Sequence, residues 1–323
     1  MKLTGTQQLS IGIFLFFLVG LIVIFNGITP WLFRKMPNDF VRTKLIINTL
    51  NDPDHTPGMV IFGNSRAMSG VNGYLLQEQL PDHPLTYSFT STSQYMSESA
   101  LFYTSLPSSV HTVLQCIDIQ SLSQPIDMKI SNQVALHMYG YKMDDQTKSF
   151  AFSLYKKLNK SDWYYNFHAR DCLFSGMNVW LRNLLDDDVS EISLEHTLHY
   201  AMTQTSDRNE AVYEREILHY ETNDSFKNYT ILPEWKELIE ASYQYIRAKN
   251  IKYYFVVMPH NPDVLPTHQE ERERAFSMFR EEFDSIPVIN CMDILSADDF
   301  YDAIHPNQKG AAKLTQHIIQ YLQ

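Results

Sequence analysis

Cysteine, glycine and proline are all scarce in this chain, at 3, 11 and 14 of 323 residues. Three cysteines, Cys116, Cys172 and Cys291, cannot all pair within one chain and show no paired metal-ligand spacing, which excludes a disulfide scaffold and gives no reason to expect a metal. So little glycine and proline also excludes a collagen-like or low-complexity chain. Basic residues are in deficit, with 26 Lys and Arg against 37 Asp and Glu and a formal charge of −11. That is the wrong sign for holding phosphate backbones by counterion release, so no nucleic-acid partner is expected. What remains is an ordinary folded composition, 44% apolar and 20% charged, long enough for one large domain or two small ones.

One stretch lacks charge altogether. Nothing between Lys2 and Arg34 is charged, and Ile11 to Phe25 is apolar throughout, extended by Ile28, Trp31, Leu32 and Phe33. About 21 residues at ~1.5 Å each reach across a hydrocarbon core of about 30 Å, so residues 1–34 are expected to form one transmembrane helix. A cleaved signal peptide would have a shorter apolar core and a small-residue cleavage site rather than bulky Trp31, Leu32 and Phe33. A buried core helix does not explain an apolar surface on all sides at the N-terminus. Lys2 precedes the helix while Arg34, Lys35, Arg42 and Lys44 follow it, so the positive-inside rule alone would put the large domain in the cytoplasm.

Residues 35–57 are expected to form a juxtamembrane helix and a linker. Phe40, Ile46, Ile47 and Leu50 fall on one helical face, with Arg42, Lys44 and Asn48 turned away from it, and Asn51 to Pro57 is polar and contains proline. From residue 58 onward, apolar runs alternate with helical patterns. Met59–Phe62, Leu85–Phe89, Val110–Ile119, Ile251–Met258 and a short run at Val288 and Ile289 are read as strands. Helices are expected near Gly73–Leu80, Glu98–Leu106, Trp235–Ile246, Gln269–Phe283 and Asn307–Tyr321, with Asn307 as the cap of the last. Strands separated by helices imply right-handed crossovers and a doubly wound, flavodoxin-like parallel sheet of about five strands, an α/β domain over 58–323. An aromatic-rich, mostly helical insertion at about 125–232 interrupts it and carries the acidic run Asp186, Asp187 and Asp188, read as a solvated loop.

In an open α/β sheet, ligands bind beyond the carboxyl ends of the strands, so residues just after each strand come first. The first strand ends in Gly63-Asn64-Ser65-Arg66, where glycine permits a sharp turn and serine would present its hydroxyl beside backbone N–H groups able to stabilise an oxyanion. A serine hydroxyl needs a base, and the base needs a partner that fixes its tautomer. Asp302-Ala303-Ile304-His305 can supply both, one imidazole nitrogen meeting the carboxylate and the other facing outward. Asp52-Pro53-Asp54-His55 has the same spacing, in the linker ahead of the first strand, and is read as solvated.

Serine after the first strand, with Asp302, His305, Pro306 and Gly310 around the start of the last helix, resembles the SGNH (GDSL-type) hydrolase superfamily. The resemblance frames residues 58–323 and is specific at its two ends. It implies that Ser65 is the nucleophile, His305 the base and Asp302 its orienting carboxylate, with no metal or organic cofactor. Asn64 stands where the family usually has aspartate. The family completes its oxyanion hole with a glycine after the second strand and an asparagine after the third, whereas here Thr90-Ser91-Thr92-Ser93-Gln94 and Asp118-Ile119-Gln120-Ser121 follow them. A backbone N–H near Ser93 and the amide of Gln120 are the candidate substitutes, beside the N–H of Ser65. Arg66 and His260 are candidates for substrate contact, with a structural ion pair and a loop role as the competing readings.

Membrane-anchored relatives with this arrangement are similar to D-alanyl transfer and polysaccharide O-acetylation proteins, which face outward and work beside a membrane-bound O-acyltransferase. The implied partner substrate is an acylated cell-envelope glycan or an acyl carrier, and the implied topology is extracytoplasmic, against the charge count around the helix. The competing functions are a non-catalytic scaffold that recruits the acyltransferase and a cytoplasmic-facing lipid esterase. His196 and His199 are candidates for one helix face, read as a surface helix rather than a metal site.

Overall fold

A computed structural model of the chain describes residues 5–35, 40–185, 198–200, 208, 210–221, 226–264 and 268–323. Helix α1, Gly5–Lys35, is followed by α2, Val41–Leu50, and then by strand β1, Met59–Gly63. Next come α3, Ser65–Gly70; α4, Gly73–Gln79; β2, Thr86–Thr90; α5, Met96–Ala100; and β3, Thr112–Ile117. The stretch expected as an insertion holds α6, Ile130–Met138; α7, Asp145–Phe150; α8, Phe152–Leu158; α9, Asp162–Leu185; and α10, Glu210–Glu221. The alternation resumes with α11, Pro233–Ala248; β4, Lys252–Val257; α12, Gln269–Glu282; β5, Val288–Asn290; and α13, Gln308–Leu322. Asp186–Asp188 and His196 lie outside the described residues.

All five strands pair in parallel, in the order β2-β1-β3-β4-β5. This is a doubly wound α/β sheet of the flavodoxin-like order, whose switch point falls between β1 and β3. Alternate residues of the strands feed two separate cores, as the two-residue period of a strand requires. Val60, Phe62, Phe89, Val113, Phe255 and Val257 pack under α2, α5, α11 and α12. Met59, Ile61, Leu114, Cys116, Val256 and Ile289 face α3, α4 and α13. The apolar, β-branched and aromatic runs that read as strands are therefore buried on both sides, which is why they were legible without alternation.

β2 lies at the edge of the sheet, and among the described residues its outward backbone groups at Thr86, Ser88 and Thr90 have no strand neighbour on that side. Arg42 fills this role: its guanidinium donates to the carbonyls of Ser88 and Thr90, the latter at 3.1 Å. Arg42 is 1% exposed, contrary to the outward position expected from the helical pattern. A helical wheel scores charge as solvent-seeking, whereas an open strand edge is a row of acceptors in need of donors. Burial lowers the Arg42 pKa to about 10, still cationic at neutral pH. Residues 198–200 close the rest of the edge. The Leu198 carbonyl accepts from Ser88 N–H at 2.6 Å, and the His199 ring lies 2.9 Å from the Thr86 carbonyl and stacks on Tyr74. His199 is thus an edge residue outside any helix, contrary to the expected surface helix.

α1 is long and apolar enough to cross a membrane. Its last turns enter the domain: Thr29 and Phe33 are buried, Asn26 receives the Asn166 amide at 2.9 Å, and Arg34 Nε donates to the Met138 carbonyl at 2.8 Å. Phe33 and Phe40 join Val134, Ala135 and Met138 of α6 and Tyr165 and Ala169 of α9 in a third small core.

Candidate active site

The turn after β1 is built by glycine and capped by asparagine. Gly63 has φ +155°, and an added Cβ there would meet Ala67 and Cys116 below 3 Å, so the close approach of β1 to α3 and β3 requires glycine. Asn64 is the N-cap of α3, its side-chain oxygen accepting from Arg66 N–H at 3.0 Å. Ser65 is the first residue of the helix, and its amide has no acceptor within it.

At the other end of the chain, residues 299–307 form a tight loop before α13. Phe300 bridges Pro306, Tyr301 N–H donates to the His305 carbonyl at 2.9 Å, and Asn307 caps α13 by accepting from Gly310 N–H at 3.0 Å. A side chain at Gly310 would collide with the Asp299 carbonyl. Asp299 itself is fully buried and held by Lys313 at 2.7 Å, fastening the loop to the helix.

This loop delivers His305 to Ser65. The His305 Nε2 lies 2.9 Å from Ser65 Oγ, and its Nδ1 lies 2.7 Å from Asp302 Oδ2. The second Asp302 oxygen accepts from the N–H groups of Ile304 at 2.9 Å and His305 at 2.7 Å, so the carboxylate cannot rotate away without losing both. Burial pushes the Asp302 carboxyl up, but the hydrogen bond and charge of His305 and the two backbone amides outweigh it and hold the pKa below its ordinary value. An ionised carboxylate fixes the Nδ1–H tautomer and leaves Nε2 free to accept the serine proton. Ser65, His305 and Asp302, the expected nucleophile, base and orienting group, are separated by up to 240 positions in the chain and lie within hydrogen-bond reach.

The end of β3 buttresses the turn that carries Ser65. Asp118 accepts from Arg66 Nη1 and, at 2.7 Å, from Asn64 Nδ2, and Arg66 also donates to the Pro259 carbonyl after β4. Arg66 is 5% exposed, and its guanidinium is engaged across three strand ends. The His260 ring packs edge-on against Phe226, and its backbone N–H donates to the Met292 carbonyl at 2.8 Å. Burial, with the charges of Arg66 and Arg272, holds its pKa well below the ordinary histidine value, so the ring is neutral.

Ser93 sits after β2 with φ +56°, a left-handed conformation that serine seldom adopts. Its carbonyl accepts from Asn132 Nδ2 at 3.0 Å and its hydroxyl from Lys129 Nζ at 3.0 Å, both from the start of α6. The same loop is tied to the nucleophile turn through Ser91 N–H, which donates to the Gly63 carbonyl at 3.2 Å. Gln120 lies half-buried in the single 3-10 turn that follows β3, two residues beyond Asp118.

Three neighbours of the site carried no motif. Asp118 follows a wholly buried strand next to β1, and its position at the switch point was the available signal. Glu98 is fully buried behind the Ser93 loop, accepting from Tyr95 N–H at 2.9 Å, Ser97 at 2.8 Å and Asn132 at 3.3 Å. Burial raises its pKa to about 7, against the lowering effect of these donors. Asn132 bridges Glu98 to Ser93, a link between α5 and α6 that no local pattern reveals. Among the described residues, no group of three or more His, Cys, Asp or Glu side chains converges as a metal site requires.

Compared with known protein families and with curated proteins, the chain matches none.

Proposed function

We propose that the chain is a membrane-anchored serine esterase or O-acyltransferase acting on acyl esters of a cell-envelope polysaccharide or related polymer. The observation that carries this reading is the relay Ser65 Oγ to His305 Nε2 at 2.9 Å and His305 Nδ1 to Asp302 Oδ2 at 2.7 Å. Its chain order, serine after the first strand and Asp-x-x-His-Pro before the last helix, adds the resemblance to the SGNH (GDSL-type) hydrolases and, with α1, to their anchored branch.

Ser65 Oγ attacks the acyl carbonyl while His305 Nε2 takes its proton, and the negative charge that develops on the carbonyl oxygen is met by the Ser65 amide. The loop at Ser93 and the side chain of Gln120 are the candidate further donors. The tetrahedral intermediate collapses, His305 returns the proton to the departing alcohol oxygen, and the acyl group remains on Ser65. Water or an acceptor hydroxyl then attacks the acyl-serine, with His305 as base again, giving hydrolysis or transfer respectively. No metal or organic cofactor is needed for these steps. In this reading α1 is a single-pass anchor, the domain faces outward, and a membrane-bound O-acyltransferase is the partner that supplies or receives acyl groups.

Incubation of the full chain with an activated acetyl ester, followed by peptide mass spectrometry, tests the proposal. An acetyl group on Ser65 that is absent from Ser65→Ala supports it; a folded protein that never acquires one overturns it. That second outcome would favour the scaffold reading, which draws on the loop Thr90–Gln94, where no glycine is present and the Ser93 carbonyl and hydroxyl are already engaged. Protease accessibility of the domain in intact cells tests the outward topology against the cytoplasmic lipid esterase.

A further inference from the structure

Helix α9 runs alongside the C-terminal part of α1 and keeps an aromatic stripe outside. Asn166 donates to Asn26, Tyr165 and Ala169 pack toward Phe33, and the opposite side of α9 leaves Trp163, Phe167 and Phe174 exposed. These three positions, spaced four and seven residues apart, fall on one face of a 3.6-residue helix. Arg170 lies within the stripe, its guanidinium 4.0 Å above the Phe167 ring, and exposed Lys160 precedes it at the α8–α9 corner.

The level of this stripe along α1 can be read directly. Trp163 and Phe167 line a groove of about 330 Å³ together with Leu21, Ile22, Phe25 and Asn26. The segment Leu9–Phe25, apolar but for Ser10, is about 25 Å long at ~1.5 Å per residue, close to a hydrocarbon core of about 30 Å. If α1 spans the bilayer, the boundary between acyl chains and headgroups therefore falls within a turn or two of Asn26, at the height of Trp163 and Phe167. Tryptophan, phenylalanine and flanking cations are the side chains suited to that boundary, with apolar rings among the chains and charges at the phosphates.

We propose that the N-terminal half of α9 is a second membrane contact, in which Trp163 and Phe167 insert at the lipid interface beside α1 while Lys160 and Arg170 meet lipid phosphates. The occupant of the groove is bilayer lipid. The continuity of the groove with the apolar surface of α1 and the cations beside the rings favour it over a second protein. The inference rests on the anchor reading of α1, and it makes the domain lie against the bilayer at two points instead of swinging from one helix.

Spin labels on the full chain in lipid nanodiscs test it. Single cysteines are introduced as Trp163→Cys, Phe167→Cys, Val19→Cys and Tyr321→Cys in a Cys172→Ser background, Cys116 and Cys291 being buried. Collision of each nitroxide with oxygen, which concentrates in lipid, is compared with collision with a water-soluble nickel complex. The Val19 label reports on the anchor and the Tyr321 label on bulk water. The proposal expects oxygen-to-nickel ratios at 163 and 167 between these two limits and clearly above the Tyr321 value. Ratios at the Tyr321 value with a lipid-like Val19 label overturn the foot while leaving the anchor intact. Labels at 163 and 167 shielded from both reagents also overturn it, since protein then covers the stripe. A water-like Val19 label overturns the anchor and the foot together.

Discussion

Asp302 and His305 are 10% and 19% exposed and meet at 2.7 Å, whereas Asp52 and His55, with the same three-residue spacing, are 47% and 32% exposed and stand 3.8 Å apart. The difference lies in what surrounds each pair. Both Asp302 oxygens are occupied, one by two backbone amides and one by the imidazole, and the outer nitrogen of His305 meets Ser65. Asp52 accepts from the Asp54 amide, and the His55 Nδ1 is turned to the Tyr87 hydroxyl at 3.0 Å. One spacing thus yields a hydrogen-bonded Ser-His-Asp chain where a loop is locked to a helix start facing the switch point of the sheet, and a half-solvated turn where it is not. Spacing permits the contact; the fold around it decides whether it is held.

The largest effects expected from this contrast are at Ser65 and His305. Ser65→Ala should abolish acyl-serine formation, and loss of His305 should lower it by about a million-fold, as removal of a triad base does elsewhere. Stopped-flow acylation with an activated ester measures it, and residual rates within tenfold of the parent would break the comparison. Next, Asp302→Asn should cost about ten-thousand-fold by favouring the wrong tautomer of His305 with little change in geometry. A rate insensitive to this change would mean that Asp302 only shapes the loop.

A third prediction concerns the scaffold that the linker pair lacks. Arg66→Met leaves the largely covered Asp118 carboxylate without its cation and should destabilise the fold by about 3 kcal/mol. A fall in the unfolding midpoint that is partly recovered in Arg66→Met/Asp118→Asn checks it, and an unchanged midpoint refutes it. Glu98 should have a smaller effect of defined sign. Its folded pKa of about 7 lies above the ordinary 4.5, so the folded state binds more protons than the unfolded state between those values. Stability from this group is therefore lost as pH rises from about 4.5 to 7, by about 3 kcal/mol in all. Relative to the parent, Glu98→Gln should gain unfolding midpoint as pH goes from 5 to 8; a pH-independent difference would contradict the assignment. The smallest effect is the control: Asp52→Asn and His55→Gln should leave acylation unchanged within about twofold, as for exposed residues outside a network.

Much of this arrangement can be read from the chain because its parts obey local rules. β-branched, aromatic and other apolar residues dominate the strands, Asn307 caps its helix, and Gly63-Asn64-Ser65 marks a turn after a strand, all visible in a few neighbouring residues. What escapes local reading depends on neighbours far apart in sequence. Arg42 is buried because an edge strand needs donors, and Asp118 matters because β3 lies beside β1. Asn132 meets both Glu98 and Ser93 only once α5 and α6 have packed. The two copies of Asp-x-x-His make the same point, since no window of four residues distinguishes them.

The most direct test of the central claim is the site of modification by a fluorophosphonate, which reacts with serines activated by a neighbouring base. The account predicts one adduct per chain, on Ser65, lost in His305→Gln and retained in His55→Gln. An adduct on another residue, or labelling of Ser65 that survives the loss of His305, would contradict it.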